Sequence, residues 1–261
     1  MKSRLIRAAR QVLSRVAADH VRYQGLVLPA KHLRLCGSRF WDDAYFLASA
    51  QAEVERLIRH LGLNRKSRVL DVGCGVGRLA LGILSRVGEI EKYRGIDVSA
   101  PVIDWCGRYL TPEHPGFQFV HIDVHNPRYN PGGQTINPEF QLPFAEREFD
   151  IIYLYSVFSH MTTGDVRAYL REFRRLLDGA GRVFLTGFFE EGVPEMSVNP
   201  EGYRRKWSGE LHCVRYHRGF FESLAGEQGF QVDRFDYGQD TDGQSAMHLS
   251  LRGSGDRISS P

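Results

Sequence analysis

The sequence has 261 residues, of which 42% are hydrophobic and 25% are charged, and its formal net charge is +3. This composition is typical of a soluble globular protein, and the length favours one domain with appendages. The small net charge gives no reason to expect a nucleic-acid partner unless basic residues cluster. No apolar run approaches the ~20 residues that cross a bilayer, and no signal-peptide pattern is present. The four cysteines form no C-x-x-C pair, which excludes a recognisable zinc or disulfide framework and favours a reducing cytoplasm.

Two helices are predicted ahead of the first buried strand. Residues 1–20 have an amphipathic pattern with a basic face, which carries the charge to contact RNA or an anionic membrane. The pattern lacks interfacial aromatic anchors, so we favour a helix packed on the domain with a solvated face. Residues 23–39 are predicted to be a connector, and residues 40–61 a longer helix that ends at Gly62.

The stretch RVLDVGCGVGRLAL, residues 68–81, is predicted to be a buried strand that turns through glycines into a helix. Gly73, Gly75 and Gly77 come where the backbone must turn sharply and lie close against a ligand, which a side chain would obstruct. Glycine triplets also occur in turns that bind nothing. The turn alone therefore leaves a nucleotide-type cofactor site and an ordinary turn as alternatives.

Two further predicted strands end in aspartates. Residues 93–99 lead to Asp97, about 20 residues after the last glycine, where an acid can accept both hydroxyls of a ribose. Residues 117–124 form a third strand that ends in Asp123. Because the carboxyl ends of parallel strands share one edge of a sheet, Asp71 and these two acids are predicted to converge on one crevice. The alternative is that the two later acids only cap the loops or helices that follow them.

With these residues the chain resembles the class I S-adenosylmethionine-dependent methyltransferase family over roughly residues 63–251. The resemblance implies an α/β fold: a Rossmann-like, doubly wound, mostly parallel seven-stranded sheet with a terminal antiparallel hairpin, preceded by N-terminal helices. It implies a cofactor-binding domain at residues 63–252. Residues 1–62 would then be a helical extension or lid, and residues 253–261 a polar tail.

The same resemblance implies S-adenosylmethionine as the cofactor, with its amino-acid end over the glycine turn, its ribose at the second acid and its adenine at the third. The cofactor-binding residues that it implies are Asp71, Gly73, Gly75, Gly77, Asp97, Val98, Asp123, Val124 and Tyr155. A nicotinamide dinucleotide is the nearest rival, since Gly75, Gly77 and Ala80 satisfy G-x-G-x-x-A. It ranks second because a carboxylate just ahead of the glycines suits a ligand with an ammonium and a sulfonium better than a pyrophosphate.

Residues 149–161 are predicted to be a fourth strand that runs into the site. His160, just past its carboxyl end, is the candidate general base, because imidazole titrates near neutral pH and can take the proton of an alcohol. The alternative is that His160 only closes the cofactor pocket. The Pro-Pro and Pro-Cys signatures of enzymes that methylate DNA bases are missing here, which argues against DNA as the acceptor.

Two inserts, residues 125–148 and 188–216, interrupt the alternation of strands and helices and are expected to frame the substrate side. Their mixture of aromatic, basic and acidic residues suits a pocket for a polyhydroxylated or aromatic acceptor, and equally a surface flap. The candidate substrate residues are Tyr45, Phe158, Tyr203, Trp207, Tyr216 and His217. No recognisable metal-ligand cluster is found.

These observations predict methyl transfer to a small molecule, preferably to a hydroxyl oxygen of a saccharide or natural product. Three alternatives stay open at this stage. They are methylation of nitrogen, an RNA acceptor reached through the basic N-terminal helix, and a cofactor-binding regulatory or scaffold protein without catalysis.

Overall fold

The computed structural model describes residues 19–34 and 37–253. Residues 1–18 of the predicted basic helix lie outside these ranges, as does most of the predicted polar tail. The last residue assigned to that helix, His20, instead begins the first strand.

An antiparallel hairpin occupies part of the segment that was predicted to be a connector. It consists of β1 (His20–Tyr23) and β2 (Leu26–Pro29). Gln24 and Gly25 both have positive φ values, 50° and 82°, as a two-residue hairpin turn of type I′ requires. Leu28 is fully buried, so the hairpin forms because β2 has apolar surface to place against the core.

The first α-helix, α1 (Asp43–Leu61), begins three residues later than predicted. Asp42 causes the shift: its backbone is extended, and its side chain accepts a hydrogen bond from the Tyr45 amide at 2.7 Å, so it is the N-cap. The preceding residues Ser38–Trp41 form a separate 3₁₀ turn. Gly62, with φ 72°, ends the helix in the left-handed conformation, as predicted.

Thirteen further α-helices and strands follow in the described part of the chain. They are β3 (Arg68–Val72), α2 (Arg78–Arg86), β4 (Lys92–Asp97), α3 (Ala100–Tyr109), β5 (Phe117–His121), β6 (Phe149–Leu154), α4 (Thr163–Leu176), β7 (Leu177–Glu190), β8 (Met196–Val198), β9 (Val214–His217), α5 (Arg218–Glu227), β10 (Phe230–Asp236) and β11 (Ser245–Leu251).

The central sheet has the strand order β10-β11-β7-β6-β3-β4-β5. The five strands from β7 to β5 are parallel, and β11 pairs antiparallel with both β7 and β10. The predicted Rossmann-like sheet of seven strands with a terminal antiparallel hairpin is therefore confirmed. The far end of β7 also pairs with β9, which pairs with β8, so the second insert extends the sheet.

The crevice for a ligand lies where the strand order reverses. From β3 the chain adds β4 and β5 on one side and then returns to place β6 on the other. In such sheets ligands bind outside the carboxyl ends of the strands at this switch point. The register places Val72 beside Ile96 and Leu154, so the segments after these three residues start side by side.

A buried charged network ties α1 to the C-terminal strands. Arg56 donates to both oxygens of Glu53 on its own helix and to Asp240, in the loop before β11, at 2.9 Å. Tyr153 donates to the same Glu53 at 3.0 Å. Breaking such a buried network costs about 3–5 kcal/mol, because a carboxylate is left without its counter-charge. The network thus fixes the loop that contributes Thr241 to the site described below.

None of the helices in residues 19–34 and 37–253 combines the length and the apolar character that a membrane crossing requires.

Candidate functional site

A cavity of about 450 Å³ opens at the carboxyl ends of β3, β4 and β6. Its volume lies within the ~300–1,000 Å³ that is usual for small-molecule sites. The turn after β3, the end of β4 and the segments after β5 and β6 form its walls. A second cavity of about 80 Å³ lies on the other side of the glycine turn and shares Gly73, Gly75 and Tyr155 with the first.

A side chain would meet different surroundings at each of the three glycines of the turn. Gly73 has φ 71°, and a Cβ there would lie 2.5 Å from a methyl group of Val157. Gly75 has φ 52°, and a Cβ there would meet no protein atom within 4 Å, although this residue lines both cavities. Gly77 lines neither cavity, and its Cβ would lie 2.8 Å from Leu110, just after α3. Packing and the positive φ are therefore sufficient to explain a glycine at position 77, and its predicted contact with the cofactor stays a prediction.

Asp97 lies on the wall of the larger cavity at the end of β4. One carboxylate oxygen accepts from the Gly75 amide at 2.9 Å and the other from the Ser99 amide at 2.9 Å. Burial raises the pKa of this carboxyl above its ordinary value. Each oxygen keeps further acceptor capacity, so the carboxylate fits a vicinal diol such as that of a ribose.

Asp71 lines the smaller cavity and is only 2% exposed. Its carboxylate accepts from the hydroxyl of Tyr93 at 2.5 Å. Burial raises the pKa of Asp71 to about 7, against the opposing effects of the Tyr93 hydrogen bond and the charge of Arg78. Arg78 lines the same cavity. An acid and a guanidinium on one small cavity fit the ammonium and carboxylate of an amino-acid group.

Asp123 does not reach the cavity. Its exposed carboxylate accepts from the side-chain amides of Asn130 at 3.1 Å and Gln134 at 3.3 Å. The residues on either side of it, Ile122 and Val124, line the cavity instead. The expected convergence of three acids is not seen for Asp123, because β5 ends two residues earlier and the acid lies in the segment that leads into the first insert.

Apolar side chains line the part of the cavity next to Asp97 and suit the flat face of an adenine. They are Val98, Val102, Ile122 and Val124. Tyr155 lies between the two cavities, where its hydroxyl accepts from the Thr241 amide at 3.3 Å and the Arg78 guanidinium lies 4.7 Å from its ring centre. The diol acceptor, the apolar wall and the acid–guanidinium pair together fit a nucleoside that carries an amino-acid chain.

His160 lies on the same cavity in a defined tautomer. Its Nδ1 is 2.9 Å from the carbonyl oxygen of Leu211. Because a carbonyl oxygen can only accept, Nδ1 carries the hydrogen and Nε2 keeps a lone pair. Nε2 lies 3.5 Å from the hydroxyl of Tyr129. Burial lowers the pKa of His160 to about 4, so the ring is neutral at pH 7.

Of the predicted substrate residues, Trp207 lines the cavity. Its indole N–H donates to the carbonyl of Tyr203 at 2.8 Å, and its ring centre lies 5.4 Å from that of Phe188, which also lines the cavity. Tyr203 stands behind this wall, where its hydroxyl donates to Glu190 at 2.5 Å. Trp207 therefore supplies an aromatic surface, and Tyr203 supports it.

Phe158 and Tyr216 do not line the cavity, since both are 1% exposed and belong to the core below β6 and β7. The ring of Phe158 packs on Phe173 of α4. Tyr216 donates its hydroxyl to the carbonyl of Met161 at 2.6 Å. Both aromatics are at strand or turn positions that face inward.

Tyr45 and His217 also lie off the cavity. Tyr45 is half-buried on α1, with its ring centre 5.3 Å from that of Phe40. His217 is the N-cap of α5, where its Nδ1 accepts from the Phe220 amide at 3.3 Å. Capping explains a histidine at that position without a ligand.

Several cavity residues were not predicted from the sequence. They are Gly37, Ser99, Asn126, Arg128, Tyr129, Phe188, Arg205, His212, Thr241, Asp242 and Gln244. Most lie in the two inserts or in the loop before β11, and only the tertiary fold brings these segments together. Within the part of the chain that the structure describes, no group of three or more histidine, cysteine, aspartate or glutamate side chains is placed to hold a metal ion.

Comparison with known proteins agrees with this geometry. Residues 69–181 match the family described as "Methyltransferase domain". The chain is 27% identical over 224 residues to the O-methyltransferase rstn1 of Aspergillus nomiae, an alignment that covers 79% of this chain and 85% of that protein. It is 26% identical over 129 residues to the demethylmenaquinone methyltransferase of Staphylococcus saprophyticus. That alignment covers 49% of this chain and 48% of that protein.

A solved structure shares the fold. The 1,6-didemethyltoxoflavin-N1-methyltransferase of Burkholderia thailandensis superposes with a TM-score of 0.54 over 81% of this chain and 80% of that chain, at 19% identity. At this identity the likeness concerns the architecture alone. The family match over residues 69–181 and the methyltransferase relatives show that the chain carries a methyltransferase domain whose cofactor is S-adenosylmethionine.

Proposed function

We propose that this enzyme transfers the methyl group of S-adenosylmethionine to a hydroxyl oxygen of a small molecule, of the saccharide or natural-product class. When bound, the cofactor supplies an activated methyl group on a positively charged sulfur. The observation that carries the proposal is the unprotonated Nε2 of His160 on the cavity that Asp97 also lines. The relation to a fungal O-methyltransferase supports oxygen as the acceptor atom.

The cofactor pose that we propose uses both cavities. Asp97 would accept the ribose hydroxyls, and Val124 would pack on the adenine. Asp71 and Arg78 would hold the ammonium and the carboxylate of the amino-acid end in the smaller cavity. The remaining proposed contacts come from Gly73, Gly75, Val98 and Tyr155. We further propose that the described part of the predicted N-terminal lid, residues 19–34 and 37–62, covers the cofactor.

His160 is the proposed proton acceptor. The hydroxyl proton would move to Nε2 as the hydroxyl oxygen accepts the methyl group, and the electron pair of the broken carbon–sulfur bond would go to sulfur. The neutral ring is available for this step because burial lowers its pKa to about 4. General acid–base catalysis of this kind contributes roughly 10²–10⁴ in rate.

Room for an acceptor larger than a single ring lies next to this base. A further cavity of about 700 Å³ lies between the two inserts and shares four wall residues with the cofactor cavity. The shared residues are His125, Asn126, Ile136 and Asp165. Both cavities therefore adjoin at the substrate side, as an acceptor of natural-product size requires.

Turnover of methyl-labelled S-adenosylmethionine tests the proposal. The purified chain is offered a panel of phenols, sugars, amines and a mixed RNA sample, and the labelled product is identified by mass spectrometry. We expect label on an oxygen of a small molecule. Label on nitrogen or on RNA would contradict the proposal, and so would the absence of transfer to every acceptor while the cofactor binds.

A His160→Gln variant tests the role of the base with the acceptor that the panel identifies. We expect kcat to fall by about 10²-fold or more, with the Kd of S-adenosylhomocysteine changed by less than about 3-fold. The wild-type kcat should stay level from pH 8 down to about pH 5, because the pKa of His160 is about 4. An unchanged kcat in the variant would remove His160 from the reaction.

A further inference from the structure

The guanidinium of Arg128 lies close to the proposed base, because both groups contact the hydroxyl of Tyr129. Arg128, in the first insert, lines the same cavity as His160. Hydrogen bonds hold the backbone of Arg128 in place. The buried side chain of Asn126 accepts from the backbone amides of Arg128 at 3.0 Å and Tyr129 at 3.1 Å. The same side chain donates to the backbone carbonyl of His160 at 3.1 Å. One amide group thus fixes the arginine segment against the histidine segment.

The hydroxyl of Tyr129 lies between these two groups. Arg128 donates from Nε to this hydroxyl at 3.2 Å, and the same hydroxyl lies 3.5 Å from Nε2 of His160. The rings of Tyr129 and His160 meet edge to face, with their centres 5.4 Å apart. A phenolic oxygen is therefore already seated between a cation and an imidazole lone pair, on the wall of the cavity.

The two arginines on this cavity differ in their ion pairing. Among residues 19–34 and 37–253, no carboxylate lies within 4 Å of the guanidinium of Arg128, so Arg128 forms no ion pair there. Arg205, which also lines this cavity, forms an ion pair with Asp242 at 2.9 Å. The charge of Arg128 also reaches His160, where it contributes to the lowered pKa. A base of this low pKa needs an acceptor that gives up its proton easily.

We propose that Arg128 selects and activates a phenol-type acceptor, whose hydroxyl takes the place that the Tyr129 hydroxyl holds between Arg128 and His160. The guanidinium stabilises the negative charge that develops on the oxygen as the phenolic proton moves to Nε2, while the oxygen bonds to the methyl carbon and the carbon–sulfur bond breaks with its electron pair going to sulfur. This inference rests on the proposed oxygen methylation. It narrows the acceptor from hydroxyls in general to acidic aromatic hydroxyls, and it makes an unactivated sugar hydroxyl a poor substrate.

The ionisation of a coloured phenol inside the site tests this assignment. 4-Nitrocatechol changes its visible spectrum when it loses a proton, so its pKa is read from the bound molecule. The probe is titrated with enzyme saturated with S-adenosylhomocysteine, in the wild type and in Arg128→Gln and Arg128→Lys. Arg167→Gln is the matched control, because that arginine lies on α4 and forms an exposed ion pair with Glu227 at the end of α5.

We expect the wild type and the Arg167→Gln control to bind the ionised probe at least about 10-fold more tightly than the neutral one, which shifts its pKa down by about one unit. Arg128→Gln should abolish this preference, and Arg128→Lys should keep most of it. A bound probe that titrates as in solution, a shift that survives in Arg128→Gln, or no binding at millimolar probe overturns the inference. Methylation of an aliphatic hydroxyl that is indifferent to Arg128→Gln would also overturn it while leaving the proposed function intact.

Discussion

At the level of single residues, the burial of Asp71 couples cofactor binding to pH. In the proposed pose its carboxylate faces the ammonium of the cofactor. Burial raises the pKa of Asp71 to about 7, so below that pH the carboxyl is increasingly neutral and loses this attraction. We expect the Kd of S-adenosylhomocysteine to be constant above about pH 8 and to rise by up to ~10-fold between pH 8 and pH 6, measured by isothermal titration calorimetry.

An Asp71→Asn variant is the control for this effect. Its affinity should be lower at pH 8 and independent of pH, because the titrating group is gone. His160 does not interfere, since its pKa of about 4 lies outside the range. Equal wild-type affinity at pH 6 and pH 8 would contradict the assigned pose.

The residues near the glycine turn were predictable and the acceptor wall was not, for a physical reason. The turn and Asp97 are specified by contacts within one strand–turn–helix unit and its neighbour, which leave a local pattern in the sequence. Trp207 was found among the aromatics of an insert, but Phe158 has a similar local pattern and faces the core. Which face of a loop or strand is buried depends on the path of the chain, so Arg128 carried no signal before the fold was known.

At the level of the structural element, two glycines in the turn after β3 have different surroundings: Gly75 lines both cavities, and Gly77 packs against protein. A methyl group at Gly75 would project into space that we assign to the cofactor, whereas one at Gly77 would press on Leu110 at 2.8 Å. Both have positive φ, so either alanine costs about 1–3 kcal/mol of stability. We expect Gly75→Ala to weaken S-adenosylhomocysteine binding by at least about 10-fold, and Gly77→Ala to weaken it by less than about 3-fold.

Calorimetry on folded protein gives the affinities, and urea unfolding gives the stabilities. The two variants control for each other because they carry the same substitution two residues apart. Loss of binding in Gly77→Ala with normal binding in Gly75→Ala would reverse the assignment of the turn.

Element boundaries follow the same division between local and tertiary causes. The helices and parallel strands of the sheet were predictable because their apolar residues repeat with a fixed period. The hairpin of β1 and β2 was not, since two four-residue strands carry too short a repeat. The end of β5 at His121 also had no marker, and this placed Asp123 in the wrong element.

At the level of the whole molecule, a buried histidine links stability to pH. His248 on β11 is 4% exposed, and burial lowers its pKa from 6.5 to about 4. Its Nε2 has no hydrogen-bond partner among the residues that the structure describes. The unfolded chain therefore binds a proton that the folded chain does not, so stability is lost as the pH falls from 6.5 towards 4. His160 contributes in the same direction, whereas Asp71, with its raised pKa, acts in the opposite one.

Because these groups oppose each other, the effect of His248 is measured as a difference. We expect the free energy of unfolding to fall less between pH 7.5 and pH 5 in His248→Phe than in the wild type, from urea melts at both values. The ring of the variant keeps the contact with Phe184, whose centre lies 5.2 Å from that of His248. An equal decrease of the unfolding free energy in the two proteins would contradict this prediction, because it would show that His248 binds its proton as readily in the folded state as in the unfolded state.

The central claim is that the cavity between Asp97 and the glycine turn holds the methyl donor, and calorimetry with S-adenosylhomocysteine tests it most directly. We predict one site per chain with a Kd in the micromolar range. Asp97→Ala should weaken binding by at least about 30-fold, because charge-assisted hydrogen bonds to the ribose contribute roughly 1.5–3 kcal/mol each. Asp104→Ala, an exposed acid on α3, should bind as the wild type does. No heat at millimolar ligand, or full affinity in Asp97→Ala, would contradict the account.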